Sequence, residues 1–146
     1  MVYGKSLQHY DRTSIKTAGK LDLVILCYEK AIQLLSQAKG HLLEQEVEEK
    51  VRKIKKVIDI INELNGALDM AKGKQIAVNL QSIYTYLISR ILSGDINKDP
   101  SAYDEAMNIL SELKEAWEQI LPPKSNQTQA YSDQSTKKPH FSEIAA

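Results

Sequence analysis

Four stretches of the chain repeat large apolar residues every three or four positions, the spacing that lines one face of an α-helix. The first runs from about Gly19 to Leu43, with Leu21, Ile25, Tyr28, Ile32, Leu35 and Leu42 on one face. The second runs from about Glu46 to Ala71 and repeats Val47, Val51, Ile54, Ile58, Ile61 and Leu68. Gly73 is its natural stop. The third, from about Lys74 to Leu92, aligns Ile76, Leu80, Ile83, Leu87 and Ile91, with Gly94 as its end. The fourth has the clearest start. Asp99 can cap free backbone N–H groups, and Pro100 stands where its missing N–H costs nothing. It carries Tyr103, Met107, Leu110, Leu113 and Trp117 to about Leu121 and stops at Pro122-Pro123.

Helices of this size are about 28–39 Å long at 1.5 Å per residue. Their short connections predict antiparallel neighbours, so the expected architecture is all-α: an antiparallel up-down-up-down four-helix bundle over residues 19–121. Trp117, on the core stripe of the fourth helix, is expected to be buried with Leu110 and Leu113. The ends read differently. Residues 1–18 form an irregular segment whose Tyr3, Leu7, Tyr10 and Ile15 could dock on a surface. In residues 122–146 ten positions are Ser, Thr, Asn or Gln, too polar to offset the entropy of ordering, which predicts a disordered tail.

A bundle helix usually presents an apolar stripe a little over 100° wide. Three of these helices exceed that. Leu23, Cys27, Leu34 and Ala38 form a second stripe on the first; Ile60, Ala67 and Met70 on the second; Ala77, Tyr84 and Ile88 on the third. A compact bundle of four helices is not expected to bury three such arcs by itself, and the surplus would meet the N-terminal segment, a second copy or a partner. A helix wedged centrally would use the same residues as core. The pattern alone leaves both open.

Composition narrows the function. With 19 Lys+Arg against 19 Asp+Glu the net charge is +0, so the basic excess that holds nucleic acid through phosphates is missing. The run Lys50, Arg52, Lys53, Lys55, Lys56 is neutralised by Glu44, Glu46, Glu48 and Glu49 and reads as a solvated face. No apolar stretch is long enough for membrane insertion, and the N-terminus lacks the pattern of a secretory signal, so a cytoplasmic location is expected. One cysteine, Cys27, excludes an internal disulfide, and in its apolar stripe it reads as a small packing residue.

The search for chemistry returns little. Gly4-Lys5-Ser6 lacks the leading glycine and the strand of a phosphate loop. His9, His41 and His140 are scattered, and no Glu-x-x-His pair of the kind that builds di-iron sites in bundles occurs. No nucleophile arrangement is visible, so no catalytic residue, cofactor or metal site is expected, and the chain does not read as an enzyme. Asn79, between apolar neighbours, is expected to make a buried inter-helix hydrogen bond.

The stretch Leu68-Asp69-Met70-Ala71-Lys72-Gly73-Lys74-Gln75-Ile76-Ala77-Val78-Asn79-Leu80, continued by Ile83-Tyr84-Thr85-Tyr86-Leu87 and Arg90, resembles the flagellar secretion chaperone family, FliS. Thr17-Ala18, Leu21, the run Leu26-Cys27-Tyr28-Glu29-Lys30-Ala31-Ile32, Glu115-Ala116-Trp117, and Leu7 with Tyr10 are similar to it as well. Two departures are Gly19-Lys20 where the family has Ser-Pro, and Glu29-Lys30 where it has Asp-Gly. The resemblance implies a cytoplasmic chaperone that binds the disordered C-terminal segment of flagellin, blocks premature polymerisation and delivers the subunit to the flagellar export gate. Some members also contact an anti-sigma factor. It further implies that the N-terminal segment can lie over part of the groove. The expected partner-binding residues are Leu7, Tyr10, Leu23, Cys27, Leu34, Ile60, Ala67, Tyr84 and Ile88. The alternative is a helical adaptor or homodimer whose extra stripe is a self-association face.

Overall fold

A computed structural model describes residues 19–120, all four helices among them. The N-terminal segment 1–18, including Leu7 and Tyr10, and residues 121–146, which hold the expected tail, lie outside the described residues. The helices are α1 (Lys20–Leu43), α2 (Val47–Gly66), α3 (Met70–Asn97) and α4 (Pro100–Glu118), and no strand occurs among the described residues. Each packs on its neighbours in the order α1–α2–α3–α4–α1, α1 far more extensively than α3. Lys39 near the end of α1 donates to Asp104 near the start of α4, and Lys50 early in α2 pairs with Asp95 late in α3, so neighbours run antiparallel. This is the expected up-down-up-down bundle.

The helix starts follow their caps. The Gly19 N–H donates to Asp22 at 3.2 Å, and the Asp99 carboxylate accepts from the Ser101 N–H at 3.0 Å with Pro100 in the first turn. The boundary between α2 and α3 is a correction. Gly73 does not end α2, which stops at Gly66. Asp69 instead caps a new helix by accepting from the Lys72 N–H at 3.0 Å. This start leaves a kink at Lys74, whose φ of 50° and ψ of −123° are not helical. Gly94 does not end α3 either. It is buried inside the helix, and a Cβ there would stand 2.3 Å from Cβ of Ala102, so it marks close approach of α3 to α4.

The core draws on all four helices. Tyr28, Leu35, Ile61, Leu87, Ile91, Tyr103, Leu110 and Trp117 are buried in it. Two polar clusters thread it. The Trp117 Nε1–H donates to the Tyr28 hydroxyl at 2.8 Å, and that hydroxyl shares a 2.6 Å hydrogen bond with the hydroxyl of Tyr84, joining α4, α1 and α3. Burial pushes the Tyr84 hydroxyl up to about 12 and Tyr28 higher still. Toward the opposite pole the buried Lys50 ammonium meets Asp95 at 2.8 Å, and the Tyr103 hydroxyl donates to the same carboxylate at 3.3 Å.

The second stripes are mostly core, which corrects the expectation of a surplus there. Leu34 is 3% exposed, Ile60 1% and Tyr84 1%, and Cys27 and Ala77 are buried with them. The reason is geometric. At roughly 100° per residue, the buried positions of α1 from Leu34 through Ala38, Ala31, Leu35 and Tyr28 to Ile25 cover an arc of about 180°. A helix packed extensively on two neighbours needs that width. On α2 the buried face, Lys50, Ile54, Val57, Ile60, Ile61 and Leu64, is rotated toward α1, and Val47 and Val51 from the expected core stripe are exposed. Asn79 is exposed too. Its side-chain oxygen accepts from Gln75 one turn earlier, at 3.0 Å, rather than bonding another helix.

Candidate functional site

The seam between α3 and α4 is tight near their connecting turn, where Gly94 meets Ala102. Farther along it opens into a groove of about 440 Å³, lined by Ser82, Ile83 and Tyr86 of α3 and by Ile109, Glu112 and Leu113 of α4. Ile83 and Tyr86 are three residues apart, and Ile109 and Leu113 four apart, so each helix contributes one short strip of a single face. Ile83, Ile109 and Leu113 are half-buried, and Tyr86 is exposed. The lining is therefore mostly carbon, open to solvent, with Ser82 and Glu112 at the rim.

A polar clasp closes the end of the groove nearest the α3–α4 turn. The Tyr86 hydroxyl donates to one oxygen of Glu105, and Arg90 Nε donates to the other at 2.7 Å. Arg90 also reaches Asp99 at 3.6 Å, the residue that caps α4. The hydrogen bonds from Tyr86 and then Arg90 hold the Glu105 carboxyl below the usual carboxylate range, while Glu105 raises Tyr86. The clasp fixes the ring of Tyr86 as a wall of the groove and ties α3 to α4 where it begins.

The resemblance motif thereby resolves into separate duties. Asp69 starts α3, Gly73-Lys74 forms the kink, Tyr84 faces inward to Tyr28, and Tyr86 with Arg90 faces outward to build the clasp. Residues 84 and 86 lie about 200° apart around a helix, so one tyrosine of such a pair must face out when the other faces in.

The structure does not bring the expected partner-binding residues together as one open stripe. Cys27, Leu34, Ile60 and Tyr84 are buried, Leu23 and Ile88 are half-buried, and Ala67 is exposed at the end of α2. The groove described above falls on α3 and α4. Ile83 and Leu113 had the spacing of core residues, and Ile109 completes a second strip on α4. That strip, one turn from Leu113, is the signal that could have located the groove. Among the described residues no cluster of His, Cys, Asp and Glu is arranged to hold a metal ion, and no helix is long and apolar enough to cross a membrane.

The geometry suits side chains of an apolar helix or strand laid along a helix pair, more than a reaction centre. Comparison with known proteins places the chain in a family. A family model described as flagellar protein FliS matches residues 3–124. The flagellar secretion chaperone FliS of Vibrio cholerae is 32% identical over 129 residues, spanning 86% of this chain and 95% of that protein. The flagellar secretion chaperone FliS of Salmonella typhimurium is 34% identical over 116 residues, with 79% and 86% covered. The flagellar secretion chaperone FliSB of Pseudomonas aeruginosa is 32% identical over 120 residues, with 80% and 95% covered. Matched along all four helices and across nearly the whole length of these chaperones, the chain belongs to the FliS family.

Proposed function

We propose that this chaperone works in the cytoplasm, holds the disordered C-terminal segment of flagellin, keeps the subunit from polymerising early and hands it to the flagellar export gate. The α3–α4 groove carries the proposal. It is an apolar, solvent-open channel on a bundle whose other large side chains are mostly committed to the core. A segment that orders on binding loses entropy and needs a long interface, so the groove is one anchor of a wider contact. Leu23 and Ile88, half-buried, and Leu7 and Tyr10, before the described residues, enter the proposal as secondary contacts. An anti-sigma factor is a further partner under this reading.

Titration with a flagellin C-terminal peptide tests it. Tyr86→Ala and Ile109→Ala are each expected to weaken binding by about 1–3 kcal/mol, the range of interface anchors. Val51→Ala, at the other pole, is expected to leave binding unchanged. Equal affinity for all three would remove the groove from the client site.

A second reading has one observation in its favour. Lys50 pairs with Asp95, which puts Val47 and Val51 of α2 at the same level as Leu92 and Ile96 of α3. All four are exposed, Ile96 at 78%. An apolar patch of this kind fits a self-association face of a homodimer or adaptor. The mass of the client-free protein in solution separates the two: a dimer broken by Ile96→Glu supports this second face.

A further inference from the structure

The α3–α4 groove is bordered by Glu112, which has no ion-pair partner among the described residues, and one turn later α4 exposes Glu115. The channel therefore offers an apolar floor with a negative lip. Half of it belongs to α4, which ends at Glu118, and the last described residue, Ile120, lies seven residues beyond Leu113. At 1.5 Å per residue the chain leaves the bundle roughly 10 Å past the end of the groove. Beyond that point Leu121 and Tyr131 are the large apolar or aromatic residues before Lys137-Lys138-Pro139-His140-Phe141-Ser142-Glu143-Ile144, which holds the single phenylalanine of the chain behind two lysines.

We propose that the chain's own C-terminal segment docks in this groove, Phe141 on the apolar floor and Lys137 and Lys138 against the Glu112 lip. The reach is ample. Residues 121–140 connect the two, and a coil of that length would span about 22–27 Å on average, more than the gap. Tethering also sets a local concentration on the order of millimolar, so even a weak segment is held a substantial part of the time. An aromatic ring supplies large contact area at little entropic cost, and the basic flank matches the sign of the lip.

The consequence for the client rests on the reading that flagellin uses the same groove. A tail held with a dissociation constant equal to its local concentration closes half of the grooves, and the apparent client affinity then falls about twofold.

A paramagnetic tag on Ser142→Cys tests the docking in the full chain, with Cys27→Ala so that the tag has one site. Docking predicts strong broadening of the amide signals of Ile83, Tyr86, Ile109 and Leu113, weak broadening of Val47 and Ile96, no change on dilution, and loss of the contrast in Phe141→Ala. Glu112→Lys is expected to weaken it. Even broadening over the bundle, broadening that survives Phe141→Ala, or broadening that fades on dilution would overturn the proposal, the last by assigning the tail to a second copy. In the untagged chain Phe141→Ala is expected to tighten the flagellin peptide about twofold. If the tag shows docking and that affinity stays unchanged, the client binds elsewhere and the docking stands.

Discussion

A methyl group at Gly94 has nowhere to go. Its nearest neighbour, Cβ of Ala102 at 2.3 Å, is itself fixed to a buried backbone, with the Asp99 carbonyl oxygen at 3.3 Å behind it. Alanine is the better helix former by about 1 kcal/mol, so propensity alone favours the exchange. Contact decides otherwise. Gly94→Ala is expected to destabilise by about 1–3 kcal/mol, as overpacking usually does, and urea titration would read the loss. A higher unfolding midpoint would mean that α3 and α4 can separate there freely. The Tyr84 hydroxyl makes a different prediction. Its protonated form is favoured in the fold, with a pKa of about 12, against about 10 in an unfolded chain. The folded state thus retains the proton over that window, and its stability is full below pH of about 10 and falls as the pH rises toward 12. Tyr84→Phe removes that contribution and is expected to flatten the decline, provided Tyr28 and Tyr103, also pushed up by burial, are read alongside by tyrosinate absorbance.

At the scale of elements, the kink at Lys74 is the strained point. A lysine at φ 50° and ψ −123° occupies backbone space that favours glycine, which costs on the order of 1–3 kcal/mol. Lys74→Gly relieves it and loses about 0.4–1 kcal/mol to the freer unfolded chain, so a modest rise in melting temperature is expected. A fall would show that the lysine side chain repays the strain. The kink also explains where reading by periodicity failed. Apolar spacing continues from Ile61 through Leu68 to Ile76 across the α2–α3 turn, so periodicity carries the second helix past its end at Gly66 to the next glycine. Only the cap at Asp69 separates α2 from α3, and a lone Asp between Leu68 and Met70 is a weak signal beside Gly73. The start at Asp99-Pro100, by contrast, was legible because two independent preferences coincide. Stripe width misled for another reason. Periodicity tells which residues share a face, not how many neighbours that face has. On α1 the arc is core because α2 and α4 both lie against it, whereas on α4 the strip of Ile109 and Leu113 looks like core and borders a groove.

For the whole molecule, the uneven packing sets an order of yielding. α1 is clamped by α2 and α4, while α3 holds its neighbours through less contact, the Lys50–Asp95 pair and the Tyr86–Glu105–Arg90 clasp. Hydrogen exchange is expected to be slowest in α1 around Ala31 and Leu35 and faster along α3, since partial opening releases the less embedded element first. Equal protection in both would make the bundle a single cooperative unit. The Trp117–Tyr28 bond and the Lys114–Glu29 pair add a topological fact: the first helix begins beside the place where the last one finishes. The backbone is therefore close to a ring, and the order in which it is threaded is a separate matter from the shape it makes. A circular permutant, with a short bridge from Ile120 to Gly19 and new ends cut between Ala67 and Leu68, would keep every helix pair while moving both tails to the α2–α3 turn. In that rearranged chain the groove would stand apart from the segment that now follows α4, and the bundle and its appendages could be studied as independent parts of one polypeptide.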